Sequence, residues 1–304
     1  MSIINSSSFA KALWPGVNAW YGKAYSEYAT EYTKLFDTYK SDRQFEEDVG
    51  VSSFGLAVVK PEGAPITFDS ERQTFITRYQ HVVYALGFII TREIMEDDQY
   101  DIVGQRKAQG LAYSMRQTKE TVAANIYNRG FAGAGNPTYG DGLTAFANNH
   151  PNWVGGTQSN ILATAADLSE AALEQAVIDI AGWTNDRGLL IAVKPKTLII
   201  PRQLMFEAHR ILKADGRVGT DLNDPNALKQ MGMFSDVVVN HYLTDPDAWF
   251  LRTDVPHGFK HFERRADSFD MDNDWDTENA RFKATARYSF GMTDWRGGYA
   301  SPGA

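Results

Sequence analysis

The chain contains no cysteine. That single absence excludes a disulfide scaffold, Cys-ligated zinc, iron–sulfur clusters and a cysteine nucleophile. An excess of positive charge is missing too: 30 Lys and Arg stand against 38 Asp and Glu, for a formal net charge of −8. Proteins that grip nucleic acid through a basic surface concentrate Lys and Arg against phosphate, so a direct reader of DNA is not expected. Long apolar runs are also absent. The nearest, Val82 to Ile90, reaches about half of the roughly 18 residues a membrane span requires. The opening MSIINSSSFAKALWPG has no basic stretch leading into an apolar core. It does not read as a secretory signal, and a cytosolic setting is expected.

What is present is ordinary for a globular protein: 304 residues, 43% hydrophobic, 22% charged and 12% aromatic. The length allows two domains of usual size, or one domain with extensions.

Along the chain, Tyr21, Tyr25, Tyr28, Tyr32, Phe36 and Tyr39 recur at helical spacings within a polar segment that ends near Asp48. This aromatic stripe predicts a short amphipathic helix that either packs on its own domain or docks as an arm on a neighbouring subunit. Val49 to Lys60 reads as a strand and Pro61 to Pro65 as a turn. Thr74 to Thr91 reads as a second extended run, with Ile76, Arg78, Gln80, Val82, Tyr84, Leu86, Phe88 and Ile90 on one face. The outer half of this hairpin has little apolar material to bury against its own chain. A long two-stranded ribbon is marginal alone in water, which suggests a partner surface.

After Glu96, Asp97 and Asp98 the pattern predicts a long helix over 101–129. Ile102, Ala108, Leu111, Met115, Val122 and Ile126 lie on its apolar face, Arg106, Lys107, Arg116, Lys119 and Glu120 elsewhere, and Gly130 is placed to stop it. A glycine-rich loop follows to Gly156, then a helix capped by Asp167 or Ser169 and running to Trp183. Strands are predicted at Thr197–Ile200, Asp236–Asn240 and Ala248–Arg252, with a helix over Arg202–Lys213. The clearest strand is at the end, where Phe282, Ala284, Ala286, Tyr288 and Phe290 alternate with polar neighbours. Strands and helices do not alternate regularly, so the fold class is α+β.

Few residues point to chemistry. The glycines at 130–142 match neither GxGxxG nor GxxxxGK[ST], and they follow a helix instead of opening one. Asp267, Asp270, Asp272, Asp274, Asp276 and Glu278 crowd one short run. An EF-hand beginning at Asp270 would place Trp275 where Gly is required and Arg281 where a bidentate acid closes the site. A looser cation site and a solvated acidic turn both stay open. His257 and His261 are four apart, but Pro256 and Gly258 argue against a helix that would align them. No GxSxG or SxxK motif is present. No catalytic residue, cofactor site or metal site is expected.

The segments LGFIITREIMEDDQYD (86–101), GLAYSMRQTKETVAANIYNRGF (110–131), DGLTAFANNHPN (141–152) and RYSFGMTDWRGGYASPGA (287–304) resemble those of tailed-phage major capsid proteins with the HK97-like fold. The resemblance covers nearly the whole chain. It implies an N-terminal arm over 1–48, and an extended loop over 49–90 that includes the start of the peripheral domain. It further implies a peripheral domain over 91–193 with its spine helix at 101–129, an axial domain over 194–247, and a return to the peripheral domain over 248–304. The implied function is structural, a head subunit that self-assembles into pentamers and hexamers of an icosahedral shell. The shell would enclose double-stranded DNA without specific binding, in a virion assembled in the bacterial cytoplasm. Portal, scaffold and decoration proteins are further partners the resemblance allows. Lys60, Glu62 and Arg78 are candidate intersubunit contacts by their placement on the hairpin. One member of this fold cross-links its subunits through a Lys and an Asn, but no matching motif accompanies Lys60 and the cross-link is not carried over. Two alternatives stand beside this reading: an encapsulin-like compartment subunit, and a soluble metal-dependent hydrolase using the acidic run with His257 and His261.

Overall fold

The computed structural model describes residues 18–26, 29–96, 100–152, 155–216, 225–273 and 279–304. A helix over 18–26 (α1) is followed by one helical turn, Tyr32–Leu35 (α2), and by strands Asp37–Lys40 (β1) and Phe45–Val51 (β2). Gln73–Gln80 (β3) returns along β2, Val82–Ile90 (β4) continues beyond it, and Arg92–Glu96 (α3) leads into the helix Tyr100–Asn128 (α4). A loop carrying the short pair His150–Pro151 (β5) and Thr157–Gln158 (β6) precedes helix Glu170–Ala181 (α5). Next come Pro195–Pro201 (β7), Met205–Lys213 (α6), Ala227–Met231 (α7), Asp236–Asn240 (β8) and Trp249–Thr253 (β9). Two long strands, Phe259–Asn273 (β10) and Ala280–Met292 (β11), are followed by Gly298–Ser301 (β12). Helix and sheet are thus mixed without regular alternation.

Among the described residues the strands form two four-stranded sheets, ordered β1-β10-β11-β4 and β12-β9-β7-β8, with β2-β3 and β5-β6 as separate pairs. Each large sheet has its own apolar core, and α4 serves both. Ala108, Leu111, Ala112 and Met115 pack with Tyr21, Phe269, Phe282, Ala284 and Tyr288. Further along the same helix Ala123 and Tyr127 join Leu35, Phe36, Leu173, Leu198, Trp249, Phe250 and Tyr299. At 1.5 Å per residue, 29 residues span roughly 43 Å, long enough to reach from one core to the other. Of the apolar positions expected for this helix, Ala108, Leu111 and Met115 are buried, whereas Val122 and Ile126 are partly covered. The side chain of Ile102 lies outside the described residues. The helix ends just before Gly130 as expected, and a Cβ at that position would overlap the ring of Phe146.

Arg116, Lys119 and Glu120, expected on the polar side of α4, are instead buried. The Glu120 carboxylate accepts the backbone N–H groups of Glu31 (3.0 Å) and Tyr32 (2.9 Å), capping α2 from a distance. Burial raises its carboxyl above the usual range, against the opposing pull of those two amides. Arg116 Nη1 donates to the Tyr25 carbonyl at the end of α1 (2.7 Å). Lys119 Nζ bonds Glu263 Oε2 at 3.0 Å and lies over the ring of Tyr32. A stretch that looks like a solvated stripe is therefore the fastening for α1 and α2.

The aromatic stripe does not form one helix. It is divided among α1, α2 and β1, and Tyr28 lies outside the described residues. Tyr21 and Phe36 are buried in this chain's own cores, which favours the first of the two readings for the described part of the segment. The second extended run is likewise two strands. In β3 the inward residues are Thr77 and Tyr79, but in β4 Ile90 is buried on the even-numbered face. The phase changes at His81, which is buried with its imidazole between Ser289 Oγ (2.9 Å) and Ser41 Oγ (3.0 Å). The acidic run is not wholly a turn either, since Asp267, Asp270 and Asp272 belong to β10. Residues 274–278 lie outside the described residues.

Other expectations agree closely. Ser169, not Asp167, caps α5, its hydroxyl accepting the Ala172 amide at 3.2 Å. The closing strand is β11, alternating buried and exposed residues against β4 and β10. DGLTAFANNHPN and DWRGGYA turn out to be packed on each other. His150 stacks on Trp295 and pairs with Asp141 (2.6 Å), while Asn160 donates to the carbonyls of Ala145 and Trp295. Nearby, a Cβ on Gly258 would lie 2.7 Å from Gly297 Cα, so the two backbones meet only because both residues are glycine.

Glu120→Ala leaves two amides without their acceptor and should destabilise the isolated subunit by ~2 kcal/mol, read from a urea midpoint, with Glu120→Gln recovering part of the loss.

Candidate assembly surface

Beyond β2 and β3 the chain makes an excursion over residues 52–72 that belongs to neither large sheet. The expected strand over 49–60 is realised only to Val51. Past it the backbone belongs to no ladder, and it turns near Glu62 and Gly63. The ladder ends because nothing packs on it. Leu56 is 79% exposed, Val59 93% and Phe68 91%, with Phe54, Val58 and Ile66 also open to solvent. This is the largest concentration of exposed apolar side chains in one segment among the described residues, and such patches mark interaction surfaces.

Its root is well held. Asp69 accepts the amides of Gly55 and Ser70, both at 2.8 Å, and the Arg187 guanidinium at 3.2 Å. The two backbone amides, helped by Arg187, hold the Asp69 carboxyl below the usual carboxylate range. Arg187 also donates to the Ser70 carbonyl (2.6 Å), tying the excursion to the loop after α5. Sequence reasoning missed Asp69 and Arg187, because residues 118 apart in the chain carry no local signal of their meeting.

Of the three candidates, Lys60 and Glu62 are exposed near the turn, and no ion-pair partner is found for either among the described residues. Arg78 is placed differently. It sits on β3, where it pairs with Glu47 of β2 (2.6 Å) and covers the ring of Phe45 at 4.3 Å. Its ordinary partners are within its own ribbon, so the structure does not bring the three residues together as one cluster.

Residues 74–301, well over half of the chain, match the model of a family described as phage capsid protein. The chain belongs to that family. Its role is structural, as the major capsid protein that the sequence resemblance implied. Solved structures of the same fold include the capsid of a native GTA particle, at 13% identity and TM-score 0.56, covering 89% of each chain. Mycobacterium phage Patience is similar at 10% identity and TM-score 0.53, over 98% of this chain and 88% of the other. A virus-like particle from Pyrococcus furiosus aligns at 9% identity and TM-score 0.52, over 94% and 97%. No curated protein matches the sequence. The family is one of phage shells, which does not favour the compartment alternative.

The residues of the hydrolase alternative are dispersed in this phage capsid protein. His257 occupies a turn with φ of 66°, whereas His261 is buried on β10 with its ring stacked on Phe290 at 4.4 Å. Among the described residues no group of three or more His, Asp or Glu is placed to hold a metal ion. No described helix is long and apolar enough to cross a membrane.

Buried histidines nevertheless give the subunit a pH dependence. Burial, with nearby Lys119, lowers His261 to about 3, and burial also lowers His81. The folded state therefore binds fewer protons than the unfolded one below the unfolded value of about 6.5. Stability is full above that value and falls as pH drops towards the folded pKa. Glu120 and Asp267, both raised by burial, act with the opposite sign in the carboxylate range. For His261 alone the loss at pH 5 is on the order of 2 kcal/mol. Urea titrations between pH 7 and pH 5 should show this decline, and His261→Gln should flatten it.

Proposed function

We propose that this capsid protein is the head subunit of a tailed bacteriophage, self-assembling into pentamers and hexamers of an icosahedral shell around double-stranded DNA. The observation that carries the proposal is the exposed apolar excursion at 52–72, held out on β2 and β3 away from both cores. Apolar surface of this extent is stabilised when a second copy covers it. A contact between two different patches of identical subunits is head-to-tail, and it closes into a ring when the rotation permits.

On this reading the HK97-like arrangement maps onto the chain as follows. Residues 1–48 are the arm, 49–90 the extended loop, and α4 the spine of the peripheral domain. The axial domain is 194–247, and 248–304 is the return. Support comes from the excursion of α6, α7 and β8 between the neighbouring strands β7 and β9, which gathers that region into one contiguous stretch of the chain. The net charge of −8 suits a wall that must not hold its packaged DNA tightly. Assembly in the bacterial cytoplasm agrees with a chain free of disulfides.

The expressed chain should form rings or closed shells visible by electron microscopy. Val59→Ser together with Phe68→Ser should abolish those particles while moving the subunit's own stability by no more than about 0.5 kcal/mol, since both side chains are already in solvent.

A further inference from the structure

Three polar side chains meet in the interior where the loop after α4 packs on the segment after β11. His150 and Asn160 are fully buried, and the side chain of Asp141 is nearly so. The Asn160 amide has one orientation open to it. On one side it meets the carbonyls of Ala145 (2.8 Å) and Trp295 (3.1 Å), which only accept, so Nδ2 lies there. On the other it receives the backbone N–H of Ala147 at 2.8 Å, which only donates, so Oδ1 lies there. His150 Nε2 is 3.1 Å from that same Oδ1 and must therefore carry a hydrogen.

At the other end of the ring, Nδ1 lies 2.6 Å from Asp141 Oδ2, while Asp141 Oδ1 accepts the Leu143 amide at 3.1 Å. A bare Nδ1 would set its lone pair against a carboxylate lone pair inside the protein, where an unmatched polar contact is costly. Both ring nitrogens therefore donate. The other buried histidines make no such demand. His81 lies between two hydroxyls, which can donate or accept, and His261 Nε2 has no partner among the described residues.

We infer that His150 is held in the folded subunit as an imidazolium between Asp141 and Asn160, a proton-dependent latch joining the loop after α4 to the segment that carries Trp295. The ring stacks on the Trp295 indole at 5.1 Å, a placement that suits a cation. Arg296 lies over the same indole at 4.5 Å, and its charge is met by Asp186 (3.1 Å) and Asp294 (3.3 Å). Asp141 is left as the carboxylate for His150. The latch also bears on β3. Gly140, beside Asp141, donates its amide to Thr77 Oγ1 at 3.2 Å, and a Cβ on it would lie 2.8 Å from the Ile76 carbonyl oxygen. Loss of the proton sets carboxylate against bare nitrogen and loosens the loop from Trp295 and β3 together. The sense is opposite to that of His261. The unfolded chain releases a histidine proton near ~6.5. The latch contributes fully below that value, and its contribution is lost as pH rises and the folded contact gives up its proton.

Asp141→Asn separates this device from a merely structural contact. Its Oδ1 can still accept the Leu143 amide while Nδ2 donates to a neutral Nδ1, so the substituted contact needs no proton. Between about pH 7 and about pH 10, the unfolding constant of the unsubstituted subunit in urea should rise at least about tenfold relative to that of Asp141→Asn. Groups common to both chains cancel in that ratio. Parallel profiles would overturn the latch. In the unsubstituted subunit, NMR of isotope-labelled histidine at about pH 8 should show both His150 ring nitrogens protonated, the signals assigned through the contact with Trp295. A bare Nδ1 there would overturn the imidazolium, whether or not Asp141→Asn folds.

Discussion

The burial of α4 between two sheets is the constraint on which the rest of the subunit depends. One face of a single 29-residue helix supplies apolar side chains to both cores, so neither sheet can shift without disturbing the other through it. Midway along, Arg116, Lys119 and Glu120 carry polar groups into the interior, and each finds a partner on the N-terminal segment or on β10. Buried charges are costly unless paired, and removing one partner typically costs ~3–5 kcal/mol. That penalty is what makes these contacts specific. α1 and α2 have one place to sit, because only there are the ends of both short helices and the ammonium of Lys119 satisfied together.

The same economy leaves the excursion at 52–72 without a core. Its root is fixed by Asp69 and Arg187 while its apolar side chains remain in water. On the function proposed above, such a segment finds its counterpart on other copies and not within its own fold. Each contact between copies can be weak, since linked contacts in a closed assembly multiply through effective concentration. No disulfide is available to hold the assembly. On the proposed function, apolar burial contributes to holding it.

Periodicity made much of this legible in advance. α4, α5, β7, β8, β9 and β11 lie within a residue or two of their expected positions: α4, α5 and β11 through an apolar period that only one secondary structure satisfies, and β7, β8 and β9 as short β-branched or aromatic runs bounded by polar residues. β10 escaped notice since its charged residues, Glu263 to Asp272, resemble a solvated turn. It is a strand because β11 and β1 pair with it on both sides, a circumstance no local window contains. The break at His81 was similarly hidden: Gln80 to Val82 continues an extended pattern, and only Ser41 and Ser289, distant in sequence, explain why a histidine turns inward there.

By itself the sequence determined the secondary structure of the strongly periodic segments, the exclusion of cysteine chemistry and of a basic nucleic-acid grip, and the family phrases that announced a capsid subunit. It also showed that the region around Val49 to Lys60 had too little to bury against. The tertiary structure alone decided which charges go inside, where Tyr21 and Phe36 pack, that Arg78 faces Glu47, and that Asp69 meets Arg187. The division has a physical reason. Periodicity records what each segment must do with its own apolar side chains, whereas the fate of a charge depends on groups hundreds of residues away that only folding brings near.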